Sequence, residues 1–298
     1  MGVGYSCVDM ICMVEDFPVE DSSTHIASRV IQGGGAVATA LVAASKLGTN
    51  CAFIGNIGND SMSDETIRMF QSDGVCTDYM VRRDDCYGLE SIVMVNPANG
   101  SRTKFPQRDY NPPISWDDRL SDVIGGCCIL HLDGTHYENA INVARIAKEH
   151  GVLVSLDGCS MQKDNEKNKI LATMADILIM NSKYPLKVSG KATYDEALLE
   201  MSTWGSKKVV GCTLGDKGSK FVVGGRVVDF PSFKAKSVVD TTGCGDVFHG
   251  AFLSAYVSGM ALEKCIRFAS AAACCKCAAP GGRAGIPSRE IVLEMIGE

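Results

Sequence analysis

No run of Lys and Arg longer than two residues occurs in the 298-residue chain, and the net charge is -6. Nucleic acid is therefore excluded as an expected partner, although one local cluster of backbone donors can hold an anion on an acidic protein. No stretch approaches the ~20 apolar residues of a membrane span, so no membrane partner is expected. The apolar start, Met1 to Met13, is short, lacks a basic n-region and carries Asp9 in its middle. It does not read as a targeting peptide, and a cytoplasmic location is expected. No G-x-x-x-x-G-K-[ST] stretch is present, which sets aside a Walker-type kinase. No C-x-x-C has a second such pair downstream, as a zinc site would want. The chain nevertheless holds 14 cysteines. Cys127, Cys128, Cys274, Cys275 and Cys277 sit in apolar runs and read as reduced, buried core thiols. There is no internal repeat and no low-complexity linker, so residues 1–298 are expected to form one domain.

What is present is alternation. Residues 36–47 place apolar side chains at helical spacing before Gly48, a C′ stop. Strands are expected at 51–57, 127–132, 152–156, 176–180 and 207–213. Helices are expected near 61–73, 138–149, 193–203, 244–258, 261–278 and 288–296. This pattern predicts an α/β fold with a doubly wound, mostly parallel sheet flanked by helices. Two segments, about 13–32 and 86–112, break the rhythm with short strands and turns. Asn99-Gly100 reads as a hairpin turn between them. They predict a small β-sheet lid that covers a substrate and excludes water.

The stretch richest in chemistry is Asp240-Thr241-Thr242-Gly243-Cys244-Gly245-Asp246. A strand-like SVV at 237–239 leads in, and a helix with apolar positions 247, 248, 251, 252 and 255 leads out. Glycines let the backbone aim N–H groups at one spot, and the helix start adds positive charge there. A carboxylate beside such an anion pocket can take the proton of a hydroxyl held next to a phosphate. Phosphoryl transfer needs little besides positioning, charge neutralisation and that acceptor.

This stretch resembles the C-terminal signature of the PfkB/ribokinase family of carbohydrate kinases, D-T-x-G-A-G-D, with Cys244 in place of the usual alanine. The resemblance implies a ribokinase-like fold, Asp246 as catalytic base, and an anion hole from Gly243, Cys244 and Gly245 plus the Asp246 amide. Gly33-Gly34-Gly35 and Gly55-x-x-Gly58-x-Asp60 resemble the N-terminal family signature. With Asp9 and Thr39, Gly34 and Gly35 are thereby implied to line the sugar site. Thr213 through Gly215 to Gly218 resembles the segment that contacts nucleotide phosphates, and Asn181 opens a stretch like N-x-x-E. Residues 280–287 resemble the loop beside adenine and, in many members, a monovalent cation, so Gly282 joins the ATP residues. Asp240 and Thr242 are the implied cation ligands. The implied cofactors are ATP, Mg²⁺ and K⁺, and the implied partners are a small sugar and a second copy docked through the lid.

Departures from the family pattern are specific. Thr39 replaces a sugar-contacting asparagine, Tyr184 replaces the glutamate of N-x-x-E, and Gly158, Cys159 and Ser160 follow Asp157 where D-x-N-x-R is usual. The runs 240–251 and 281–287 are most similar to sulfofructose kinases, yet Thr135 and Pro106 stand near the places of their sulfonate-binding residues. In the lid segments, His25, Arg102, Lys104 and Arg108 could grip an anionic substrate group or simply be solvated edge charges; His25 and Arg108 are carried as substrate candidates. His131, His136, His249 and Arg283 each admit a site role and a packing or capping role. Two other functions are compatible with parts of the chain. One is a catalytically silent sugar sensor on a kinase scaffold. The other is a dinucleotide-dependent oxidoreductase, since Gly33-x-Gly35-x-x-Ala38 fits a dinucleotide fingerprint but lacks its acidic residue about 20 positions on.

Overall fold

Strand and helix alternate from the first residues of the computed structural model, which describes residues 1–96 and 101–298. The chain runs β1 (Gly2–Val3), β2 (Cys7–Val14), β3 (Ile26–Gly34), α1 (Ala36–Lys46), β4 (Cys51–Ile57), α2 (Ser61–Ser72) and β5 (Val75–Arg82). It continues with β6 (Glu90–Val95), β7 (Arg102–Pro106), α3 (Asp118–Gly125), β8 (Ile129–Leu132), α4 (Tyr137–Glu149), β9 (Leu153–Gly158) and α5 (Asn165–Met174). Next come β10 (Ile177–Met180), α6 (Tyr184–Ser189), α7 (Tyr194–Met201), β11 (Val209–Thr213), β12 (Ser219–Val223) and β13 (Arg226–Phe230). Helices α8 (Cys244–Val257), α9 (Leu262–Lys276) and α10 (Arg289–Ile296) close the chain.

Nine strands form one sheet in the order β13-β12-β11-β10-β9-β8-β1-β4-β5. It is parallel from β5 to β11, and β12 and β13 add an antiparallel edge. Both faces are covered. In β10, Leu178 and Met180 join the core with α3 to α7, whereas Ile177 and Ile179 pack with α8 and α9 on the other side. That is the two-residue period of a strand buried twice. Each fully buried side chain of this size contributes roughly 1.5–3 kcal/mol.

Helices α2, α3, α5 and α7 are closed at their N-termini by the side chains of Asp60, Asp117, Asp164 and Thr193. Helices α1 and α8 start instead on glycines with positive φ, Gly35 at 100° and Gly243 at 76°, and no side chain caps them. Their first N–H groups are therefore left for something else.

The four-stranded second sheet has the order β3-β2-β6-β7. It begins at Cys7, earlier than the expected limit near residue 13, because Cys7–Val14 pairs with β3 on one side and β6 on the other. Strands β6 and β7 pair antiparallel as expected; the Asn99-Gly100 turn lies outside the described residues. Two expectations fail. Residues 237–239 form no strand, since the Val239 and Asp240 amides both turn to the Cys277 carbonyl. All 14 cysteines are unpaired, but Cys127, Cys274, Cys275 and Cys277 are only half-buried and Cys128 is exposed. Apolar neighbours in sequence do not decide which face of an element looks outward.

Candidate active site

Parallel strands release their C-terminal residues at one edge, the usual ligand edge of such sheets. Met180 lies opposite Cys212 in the β10–β11 register, so Asn181 and Thr213 leave side by side. Asp157 lies one strand over, paired with Ile179. A cavity of about 1000 Å³ lined by Met1, Leu47, Cys51, Cys127 and Val257 among others opens elsewhere, near the strands' N-terminal ends.

The 240–246 loop meets this edge at the start of α8. Asp240 organises it: its carboxylate accepts from the Thr242 amide at 2.7 Å and from the Gly281 amide at 2.7 Å. Gly243 presses on the neighbouring loop, where a Cβ would stand 2.6 Å from the Gly282 Cα. The Cys244 amide bonds to Thr241 O at 3.3 Å and that of Val247 to Gly243 O at 2.8 Å. Among the described residues, the amides of Gly243, Gly245 and Asp246 have no protein acceptor. Three unpaired donors at an uncapped helix start make a ready anion site.

Asp246 lies in the first turn of α8. Burial, and then the carboxylate of Asp157, push its carboxyl up from 3.8 to about 7, against the pull of Lys104 and His249, with Asp133 adding to the rise. Asp157 is itself buried, but the His249 imidazole at 3.2 Å outweighs that cost and holds its carboxyl below the usual range. The His131 ring packs 5.4 Å from His249, and its Nδ1 lies 3.1 Å from Ser155 Oγ. Burial and the neighbouring His249 lower His131 to about 3, so it stays neutral. His131 Nε2 and His249 Nδ1 are buried without partners.

The small sheet supplies the facing wall. Its register puts Asp9, Gln32, Ser91 and Pro106 in one row, and Ile11, Val30, Val93 and Lys104 in the next row on the same face. Asp9 is buried, accepts from Cys7 Sγ at 3.2 Å, and has its carboxyl raised by desolvation. Gly34 must lack a side chain, since a Cβ there would stand 2.2 Å from Asp9 Oδ2. Lys104 and Arg283 act on both Asp9 and Asp246. Arg102 reaches from β7 to Thr241 Oγ1 at 3.0 Å. Sequence reasoning weighed Lys104 and left it among the edge charges; strand alternation from the buried Ile11 and Val93 row was the signal that could have picked it.

Arg283 is enclosed between the small sheet and α2. Its buried guanidinium packs on Gly33, on the Phe70 ring at 5.4 Å and near Asp73 at 3.6 Å. His25 sits at the far end of β3, exposed, where Ile26 pairs with Val14. That is five residues along β2 from Asp9, roughly 17 Å. Arg108 is exposed and stacks over Tyr110 at 5.4 Å. The structure brings neither to Asp246. Gly35 cannot take a Cβ, which would stand 2.1 Å from Tyr5 O. Thr39 is buried beneath Gly282.

On the other side, the Asn181 carbonyl oxygen accepts from the Lys183 and Tyr184 amides, turning the chain into α6. Tyr184 points into the core and bonds Asn168 O at 3.2 Å, so nothing at that position faces a metal. Gly215 and Gly218 have φ of 66° and 86° and form a turn closed by Leu214 N to Gly218 O at 2.8 Å. His136 pairs with Asp109 at 2.8 Å, which outweighs burial and raises its pKa. Thr135 pairs with Ser160 at 3.2 Å, and Pro106 is exposed at the end of β7.

A twisted parallel sheet with an uncapped glycine-started helix and a facing small sheet is the ribokinase-like kinase architecture. The chain matches the pfkB family carbohydrate kinases over residues 1–289, and it belongs to that family. It is therefore a phosphotransferase acting on a hydroxyl group. It is 29% identical to the ribokinase of Arabidopsis thaliana over 316 residues, covering 99% of this chain and 80% of that protein. It is 24% identical to the ketohexokinase of Mus musculus over 286 residues, covering 94% and 96%. The solved structure of Arabidopsis thaliana ribokinase complexed with ribose and ATP superposes with a TM-score of 0.86 at 27% identity, covering 100% and 98%. Ribokinase from Thermotoga maritima gives 0.85 at 27% identity, with the same coverage of 100% and 98%.

Proposed function

We propose that this kinase transfers the γ-phosphoryl group of ATP to a hydroxyl of a small sugar or sugar derivative, with Asp246 as the base. The observation that carries this reading is the trio of unpaired amides at Gly243, Gly245 and Asp246 beside a carboxyl raised to about 7. Asp9, with Gly34 and Gly35, orients the sugar hydroxyls, and Thr39 backs the wall behind them. Asp246 accepts the proton of the attacking hydroxyl. The loop amides neutralise the charge that builds on the transferred group. Asn181, Thr213, Gly215, Gly218 and Gly282 hold the nucleotide along the strand ends. The small sheet acts as a lid that excludes water.

Among the described residues no three His, Cys, Asp or Glu side chains are placed to hold a metal ion by themselves. That suits Mg²⁺ held mainly by nucleotide phosphates and water with one or two carboxylates, where it supplies charge neutralisation. The same proposal places the enzyme in the cytoplasm, where a reducing environment keeps its 14 thiols free. It also makes the enzyme a homodimer through the lid. Ile31, Met10, Ile92 and Phe105 form one cross-strand row on the outer face. Ile31 is 47%, Ile92 39% and Phe105 56% exposed. Light scattering of the parent and of Phe105→Glu tests this, and a parent monomer would refute it.

The test of the reaction is ADP release from Mg-ATP against sugars, sugar phosphates, sulfosugars, nucleosides and inositols, with Asp246→Asn alongside. Turnover with one alcohol, lost in the variant, supports the kinase and its base together. Sugar binding with no turnover on any alcohol favours the silent sensor instead.

A further inference from the structure

Lys276 is the last residue of α9, yet its side chain is fully buried. Among the described residues no carboxylate accepts from it. Its Nζ donates to the backbone carbonyls of Asp240 at 2.8 Å and Ala279 at 3.3 Å. The first of these opens the 240–246 loop, and the second belongs to the loop whose Gly282 lies against Gly243. A buried ammonium is expensive unless it is well hydrogen-bonded. Here it ties two loops together from beneath the three free amides.

The residues expected to hold a free monovalent cation do not fit one. Both Asp240 carboxylate oxygens already accept from amides, those of Thr242 and Gly281. The Asp240 carbonyl is taken by Lys276. Among the described residues, the buried Thr242 hydroxyl and the Thr242 carbonyl are left without a protein donor. Two oxygens are a poor exchange for the hydration shell that an alkali ion gives up, and that ion would sit beside a fixed positive charge.

We propose that the Lys276 ammonium is the built-in cation of the phosphate-binding loop, doing there what a free K⁺ would do, so that this enzyme works without one. Lys276 is on this view a positioning residue: it touches neither substrate nor nucleotide but fixes the carbonyls that aim the loop. Burial lowers its pKa on balance, with Arg102 adding to the fall, although Cys244, Asp240 and Cys277 favour the charge. The inference rests on residues 240–246 being the phosphate-binding loop.

The test compares tetramethylammonium with K⁺ as the only monovalent cation, reading both turnover and Mg-ATP affinity by calorimetry. The parent is expected to change by less than about twofold in either, a difference of about 0.4 kcal/mol. Lys276→Met, similar in shape but uncharged, is expected to lose about tenfold or more in turnover, and K⁺ or ammonium should restore part of that loss where tetramethylammonium does not. A purely structural lysine would give no such cation-selective rescue. Strong K⁺ stimulation of the parent overturns the proposal, as does a Lys276→Met protein fully active in tetramethylammonium. If Lys276→Met does not fold, the parent comparison still decides. If the parent binds Mg-ATP but phosphorylates nothing, the kinase reading fails alone, and the cation dependence of binding tests Lys276. Absence of nucleotide binding overturns both.

Discussion

His249 Nε2 lies 3.2 Å from Asp157 Oδ1, and both side chains are 4% exposed. His249 stands one helical turn beyond Asp246, so the pair lies beneath that carboxyl. A carboxylate that close to Asp246 would otherwise add its full repulsion, and the imidazole moderates it.

Removing that moderation has a predicted direction. His249→Leu takes away the main partner of the buried Asp157, which costs about 3–5 kcal/mol of stability. It also drives Asp246 further up, so the acidic limb of kcat/KM against pH should move to higher pH. Asp157→Asn removes the repulsion and should move the limb down. Asp133, Lys104 and Arg283 also face Asp246 and stay in place in both variants. Identical profiles in all three proteins would refute the coupling.

Asp246 itself sets activity against stability. Its folded value of about 7 exceeds the ordinary 3.8, so its contribution to stability is fully present below 3.8 and is lost as pH rises to about 7. Asp246→Asn should lose about 10²–10⁴-fold in kcat. Above about pH 7 it should also be more stable than the parent by a few kcal/mol, since each tenfold change in proton affinity corresponds to about 1.4 kcal/mol. The two melting curves should converge in acid. Thermal unfolding across pH measures this, and a variant no more stable than the parent at alkaline pH contradicts a carboxyl raised by the fold.

Lys104 is exposed, so Lys104→Met should leave the melting temperature unchanged. It should cost about 10- to 100-fold in kcat/KM, because it takes away the cation acting on both Asp9 and Asp246. Arg108 stacks on Tyr110 away from Asp246, so Arg108→Met serves as the comparison and should change little.

Two glycine changes separate the half-sites. Gly34→Ala places a Cβ 2.2 Å from Asp9 Oδ2 and should raise the sugar KM while leaving Mg-ATP affinity nearly intact. Gly243→Ala forces φ of 76° on an alanine and a Cβ to 2.6 Å from the Gly282 backbone. It should weaken nucleotide binding first. Calorimetry with each ligand checks the split.

Much of the architecture was legible because local rules decide it. Strand 51–57 was expected to the residue, and the expected helix near 61–73 is Ser61–Ser72, started by its Asp60 cap. The 240–246 loop was legible because its glycines and aspartates sit at fixed spacing. Long-range contacts decide the rest. Arg108 and Lys104 are equivalent charges in sequence, and only the register of β6 with β7 puts Lys104 on the inner face. Asp157 and His249 lie 92 positions apart in sequence, and no period links them. Residues 237–239 have strand composition, but the Cys277 carbonyl takes the amides a ladder would need.

Gln32 Oε1 accepts from the Arg283 amide at 2.8 Å, and its Nε2 donates to Pro280 O at 3.2 Å. The β3 margin of the small sheet is thus bolted to the loop after α9, while β7 reaches the α8 side through the exposed Arg102–Thr241 bond. The small sheet is held at both margins, clamped along β3 and clipped at Arg102. The clip lands on the 240–246 loop itself, so the sheet and the three unpaired amides share one support.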